Sequence, residues 1–159
     1  MADLDTLLRF LHILGVTVWI GGLVFLGVVA VPAARTETDP VRRRAAITAV
    51  ARRFTPVAGA AWVLILATGI AQLGRRHISL GELPDTEWGK RVLAKLTLLL
   101  AMGVVVLLHG LWQGPKVRRT EEAGDPRAAR RWKLLGVAFD AFTLLGSLAA
   151  LWLATSLVA

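Results

Sequence analysis

Four apolar runs dominate the sequence, and each is long enough to cross a membrane. Crossing a hydrocarbon core of about 30 Å takes about 20 helical residues. The runs cover residues 7–34, 54–73, 92–112 and 134–159. The first is too long for the apolar region of a signal peptide and lacks a small-residue cleavage pattern. We therefore expect an all-α integral membrane protein with a single domain, a bundle of four antiparallel transmembrane helices.

The connectors between the apolar runs carry most of the charge, which is +8 overall. The basic residues of the first and third connectors are Arg35, Arg42, Arg43, Arg44, Arg52, Arg53, Lys116, Arg118, Arg119, Arg127, Arg130, Arg131 and Lys133. The positive-inside rule then predicts a multi-pass protein of the inner or plasma membrane, with these connectors in the cytoplasm and both termini outside. This placement indicates contact with the lipid bilayer and its anionic lipids rather than with nucleic acid.

Breaks between the helices are predicted from proline and glycine. The first connector contains Pro40, and its basic segment is interpreted as a short interfacial helix. The third connector has predicted breaks at Gly114–Pro115 and Asp125–Pro126. No internal repeat is evident from the sequence.

His12 lies inside the first apolar run, where an ionisable ring is costly and usually marks a cofactor, ion or proton site. Gly15, Trp19 and Gly22 follow it at helical spacing. The glycines would leave room beside the helix for a flat macrocycle, on which Trp19 would stack. Small residues also let helices approach closely, and an interfacial histidine bonded to backbone or water is the other interpretation of His12.

The second intramembrane histidine, His109, is expected at a different depth. With the predicted topology, His12 lies near the outer surface and His109 near the inner one, roughly 20–25 Å apart along the membrane normal. The two rings therefore cannot be the axial ligands of one haem within one subunit. They serve different sites, or only one is a ligand, or His109 completes a site across a homodimer.

Each histidine has a charged companion at its own level, Lys95 for His12 and Asp140 for His109. Lys95, Met102 and His109 are spaced seven residues apart and share one helix face. Lys95 either snorkels to the surface or neutralises a propionate or donates a proton. Asp140 either pairs structurally with His109 or an arginine, or takes part in chemistry.

The metal-binding residue types present in the chain limit which metal ions it is expected to bind. The chain has no cysteine, which excludes disulfides and thiolate metal sites. Copper(I) prefers soft thiolate or thioether ligands, and Met102 is the only methionine besides the initiator. Met102 itself is more typical of core packing than of a ligand. The inventory therefore favours haem iron over a copper pathway.

Three segments resemble known membrane families. LHILGVTVWIGGLVFLGVVAVPA is similar to the opening helix of the CopD-type copper-resistance domain, RRFTPVAGAAWVLILATGI to its second helix and WGKRVLAKLTLLLAMGVVVLLHG to its third. The same pattern resembles the HemJ-type protoporphyrinogen oxidases, whose motif matches His12, Trp19, Lys95 and His109. Asp140 has no counterpart in either pattern.

The resemblance implies a four-helix membrane protein that binds haem b. Our leading hypothesis is a haem-b redox protein with one or two haems, which transfers electrons across the membrane or at its surface. The residues assigned to the cofactor are His12, Trp19, Gly15, Gly22, Lys95, Met102 and, for the propionates, Arg9 and Arg91; the metal ligands are His12 and His109; the catalytic candidates are Lys95 and Asp140.

Two alternatives stay open. The CopD-type resemblance implies copper uptake or tolerance, in which His12, Lys95, Met102, His109 and Asp140 form a polar track for copper. The HemJ-type resemblance implies an enzyme that oxidises protoporphyrinogen. The redox partner or porphyrin substrate is not specified by the sequence.

Overall fold

The computed structural model describes residues 3–76 and 81–155, and within them it is helical without strands. The helices are α1 (Leu4–Val24), α2 (Val31–Arg35), α3 (Pro40–Arg75), α4 (Glu87–Leu108), α5 (Gly114–Glu122) and α6 (Pro126–Thr155). π-Helical turns join α1 to α2 (Phe25–Ala30) and α4 to α5 (His109–Gln113), and a 3₁₀ turn spans Leu83–Asp85. Four continuous helical segments are long and apolar enough to cross a membrane. The all-α membrane prediction is therefore confirmed.

The chain divides into two compact units, Met1–Gly81 and Glu82–Ala159. Unit 1 is a hairpin of α1–α2 against α3, and unit 2 is a hairpin of α4–α5 against α6. That both units associate as one four-helix bundle stays a prediction. Residues 156–159, which the fourth predicted span includes, lie outside the described residues.

Side-chain contacts show that the two helices of each unit run antiparallel. In unit 1 the partners are Asp5 with Arg75, His12 with Thr68, Gly15 with Ile65 and Gly22 with Phe54. In unit 2 they are Met102 with Ser147, His109 with Phe139 and Gln113 with Trp132. In both lists the first number rises while the second falls, which is the register of an antiparallel pair.

The helices continue through the predicted connectors. α3 begins at Pro40, so the basic segment expected to be a separate interfacial helix is the start of the second membrane helix. The break expected at Gly114–Pro115 is also wrong, because α4 runs into α5 through a π-helical turn. A proline lacks the N–H and its ring crowds the carbonyl four residues earlier. The wider π turns before Pro32 and Pro115 accommodate this without ending the helix.

Carboxylates cap the beginnings of three helices. Asp3 accepts from the backbone N–H of Thr6 at 2.7 Å, which lowers the pKa of this carboxyl. Asp39 accepts from the N–H of Val41 at 2.8 Å, and Asp125 accepts from two N–H groups in the first turn of α6. A proline follows both Asp39 and Asp125 at the first helical position, where no N–H is needed. The predicted break at Asp125–Pro126 therefore marks the hairpin turn of unit 2.

Candidate functional site

His12 is held in unit 1 by a buried threonine of α3. Its Nδ1 lies 2.9 Å from Oγ1 of Thr68, a residue only 4% exposed. The Thr68 hydroxyl has one proton and donates it to the carbonyl of Leu64 at 2.6 Å. It therefore accepts from Nδ1–H of His12, and the ring lone pair is on Nε2. A neutral imidazole oriented by a hydrogen bond on its other nitrogen is the form in which histidine binds metals.

The space beside α1 is filled by α3. A methyl group at Gly15 would lie 3.0 Å from Cγ1 of Ile65, and one at Gly22 would collide with the Phe54 ring. Trp19 is 4% exposed within the same unit. The room that the sequence analysis assigned to a macrocycle is thus taken by helix packing, the alternative function of small residues. A haem on this face of α1 would have to displace Ile65 and Phe54 of α3.

The predicted basic partners of the cofactor belong to both units. Arg9 is exposed near the start of α1 and Arg91 is exposed near the start of α4. Lys95 is half-buried on α4, and within the described residues it makes no hydrogen bond or ion pair. Because Lys95 and His12 belong to different units, their pairing at one level stays a prediction.

Unit 2 has a polar seam between α6 and the helix formed by α4 and the π-helical turn after it, which we call the α4–α6 seam and define by Met102, His109, Gln113 and Ser147. Asp140 is exposed on α6. Met102 is 2% exposed, and its Sδ lies 3.4 Å from Oγ of Ser147. The Ser147 hydroxyl donates to a carbonyl of its own helix at 2.7 Å. The α4–α6 seam therefore places a thioether among buried polar atoms inside a membrane-spanning hairpin.

His109 has a buried ring nitrogen that lacks a hydrogen-bond partner in the described part of the chain. Its Nδ1 is buried and, among the described residues, is the only buried side-chain nitrogen or oxygen without a hydrogen-bond partner. The ring stands edge-on to Phe139, with centroids 6.2 Å apart. Asp140, on the next turn of α6 after Gly136, interacts electrostatically with His109. Leaving such a nitrogen unsatisfied costs about 1–3 kcal/mol, so its position calls for a ligand or a specific role.

Gln113 is a seam residue that the sequence analysis missed. It is 5% exposed, and its Nε2 donates to the carbonyl of Trp132 at 2.6 Å. A methyl group at Gly136 would lie 2.7 Å from that Nε2 and 3.5 Å from Cε1 of His109. Gly136 thus makes room for both side chains. A lone amide at the end of an apolar run was the available signal.

In the part of the chain that the structure describes, carboxylate and imidazole groups do not form a metal-binding cluster. Among the described residues, no three His, Asp or Glu side chains come together in a group that could hold a metal ion. A metal ion bound in the α4–α6 seam would therefore use few side chains, and the thioether of Met102 is the soft donor available there.

One comparison with known proteins gave a match. A family model described as CopD, copper resistance protein D, matches residues 48–154. The matched range includes most of α3 and all of α4 and α5, together with Lys95, Met102, His109 and Asp140, and it begins after His12. The chain matches no curated protein and no solved structure.

Proposed function

Because this chain belongs to the copper resistance protein D family, we propose that it is a multi-pass membrane protein that carries copper ions, with the α4–α6 seam as their path. The observation that supports this path is the buried, unpartnered Nδ1 of His109 in a hairpin whose seam also contains Met102. Copper is the substrate in this proposal and is not a resident cofactor.

The donors of the seam suit copper(I). Thioether sulfur is a soft ligand, and imidazole nitrogen also binds copper. Met102 lies on α4 and His109 at the start of the π-helical turn that continues it, seven residues or about 10 Å further along the axis. They therefore form two separate sites of few ligands. Ion passage requires binding strong enough for entry and weak enough for release, and several weak sites satisfy both conditions.

Asp140, which is exposed on α6, adds a carboxylate to the surroundings of His109. A carboxylate inside a membrane-spanning helix is costly and is retained where it pairs with a cation or marks an ion pathway. Its electrostatic interaction with His109 favours a positive charge at that level of the seam.

The test is copper(I) uptake by liposomes containing the purified protein, with an entrapped copper chelator as the reporter. We expect wild-type protein to accumulate copper well above empty liposomes. His109→Gln and Met102→Leu should each lower the initial rate by about tenfold, equivalent to loss of about 1.4 kcal/mol of ion binding. Leucine preserves the volume of Met102, so the hairpin should stay packed.

His12→Gln is the matched control, since it makes the same change in unit 1. If His12→Gln lowers the initial rate of copper uptake and His109→Gln does not, the α4–α6 seam is not the path. Uptake no greater than in empty liposomes would contradict copper transport. A pyridine haemochrome assay on the same preparation tests the haem hypothesis, because stoichiometric haem without copper uptake would favour the redox function.

A further inference from the structure

Gln113 closes one end of the α4–α6 seam. It is 5% exposed, and it directly precedes α5, whose residues are all exposed or half-buried. The seam residues of this helix follow one another in the order Met102, His109 and Gln113. An ion that leaves His109 in the direction of α5 therefore meets the side chain of Gln113 next.

A hydrogen bond across the hairpin holds this side chain in place. Nε2 of Gln113 donates to the backbone carbonyl of Trp132 on α6 at 2.6 Å. The same tryptophan also contacts the residue before Gln113, because the rings of Trp112 and Trp132 stand edge-on with centroids 5.0 Å apart. Two contacts thus join the π-helical turn to α6 at the end of the seam. We call the hydrogen bond between Gln113 and Trp132 the Gln113 clasp.

The amide of Gln113 and the ring of His109 meet over a notch in α6. A methyl group at Gly136 would lie 2.7 Å from Nε2 of Gln113 and 3.5 Å from Cε1 of His109, so both atoms approach the same point. The Nδ1 next to that Cε1 is buried without a hydrogen-bond partner among the residues that the structure describes. The nitrogen assigned to the ion and the side chain that closes the seam are therefore neighbours.

The π-helical turn places both side chains on the α6 side of the helix. His109 is the first residue of this turn and Gln113 the last, and the N–H of Gly114 bonds to the carbonyl of His109. A hydrogen bond over five residues makes the turn wider than an α-helical one, and such turns are frequent at functional sites. The turn thus joins the ion site and the clasp in one local structure.

The clasp can open at low cost. Trp132 lies inside α6, so its carbonyl also accepts the helical hydrogen bond from residue 136 and stays satisfied when Gln113 leaves. The net contribution of one hydrogen bond corresponds to a factor between about twofold and about tenfold in an equilibrium constant. The amide is uncharged, so it does not repel a cation, and its carbonyl oxygen can face a passing ion.

We propose that the Gln113 clasp is a gate that controls the passage of copper ions at the His109 end of the seam. The gate is closed while Nε2 bonds to the carbonyl of Trp132. It opens when the side chain turns out of the notch over Gly136. This inference rests on the proposed copper transport and adds the regulation of its path.

The test is copper(I) uptake by liposomes over a range of copper concentrations, which gives the maximal rate and the half-saturating concentration separately. Gln113→Ala removes the obstructing side chain and should raise the maximal rate about fivefold, within the range for loss of one hydrogen bond. Gln113→Leu leaves an apolar side chain of similar size in the notch and should lower it about tenfold, as apolar constrictions do. Both should keep the half-saturating concentration within about twofold of wild type, because Met102 and His109 remain.

Gln72, the other glutamine of the chain, provides the matched control. Its Nε2 donates to a carbonyl of its own helix, that of Thr68, at 3.2 Å, so Gln72→Ala and Gln72→Leu should leave both constants unchanged. Circular dichroism checks the helicity of every variant. If Gln113→Ala loses helicity, Gln113→Asn replaces it with the same expectation, since the shorter amide falls short of Trp132.

The outcomes separate the gate from the transport function. If both Gln113 variants change the maximal rate in the same direction or leave it unchanged, the gate is overturned while copper transport stands. A raised half-saturating concentration in either variant would also overturn it, because Gln113 would then act on ion binding. Absence of uptake by the wild-type protein would contradict the transport function itself, and the gate with it.

Discussion

At the scale of single residues, His12 is costly inside an apolar helix unless its ring is satisfied, and Thr68 satisfies Nδ1 from the opposite helix. The sequence identifies the histidine because its chemistry is unusual for its surroundings. It does not identify the threonine, because the pairing of residues 12 and 68 depends on the register of the hairpin. The unpartnered Nδ1 of His109 is likewise visible only once α6 is in place.

Thr68→Val should lower the free energy of unfolding by about 1–2 kcal/mol, because the ring of His12 loses its acceptor. Thr55→Val is the matched control, since Thr55 is exposed and bonds only to a carbonyl of its own helix, that of Ala51, at 2.9 Å. Unfolding of the purified protein in a denaturing-detergent titration measures both. Equal stability of the Thr68 variant and wild type would show that the hydrogen bond contributes little.

Gly22→Ala should destabilise unit 1 by about 1–3 kcal/mol, because a methyl group there meets the Phe54 ring in a packed interface. Gly59→Ala, on the open side of α3 with nothing within 4 Å, should instead leave stability unchanged or raise it by up to about 1 kcal/mol. The same titration compares them. If both variants behave alike, Gly22 has no packing role.

At the scale of the elements, the apolar runs locate the four membrane crossings but not the ends of the helices. Apolar residues indicate which part of a helix contacts lipid. The length of the helix depends instead on its backbone hydrogen bonds and caps. Arginine is a good helix former, so α3 extends through its basic segment to the Asp39 cap. Pro115 does not end the helix, because the π-helical turn before it accommodates the proline ring.

At Asp125 the predicted break between helices is confirmed, because α6 begins at the next residue. The carboxylate of Asp125 accepts from the N–H groups of Arg127 and Ala128 at 3.1 and 3.0 Å, so it caps the start of α6. Asp125→Ala should cost about 1 kcal/mol, and Asp125→Asn should restore most of it. Hydrogen exchange at the first turn of α6 provides a local readout. Unchanged exchange in the alanine variant would contradict the cap.

At the scale of the whole molecule, the two units share a plan that the sequence analysis did not detect. In each, the first helix passes through a π-helical turn and a proline, and the second helix begins at the proline of an aspartate–proline pair. The likeness was hidden because the turns differ in length and the apolar residues differ in identity. Both hairpin turns also adjoin the basic segments, so the positive-inside rule predicts that each of them lies on the cytoplasmic side of the membrane.

The absence of cysteine makes this orientation directly testable, since any introduced cysteine is unique. Thr38→Cys places a thiol in the exposed turn between α2 and α3, and Gly81→Cys places one in the exposed segment before α4. A membrane-impermeant maleimide applied to intact cells should label Cys at position 81 only, because the arginines around the first turn favour the cytoplasm. Permeabilised cells, in which both positions should react, control for thiol reactivity. Labelling of position 38 in intact cells would reverse the predicted topology.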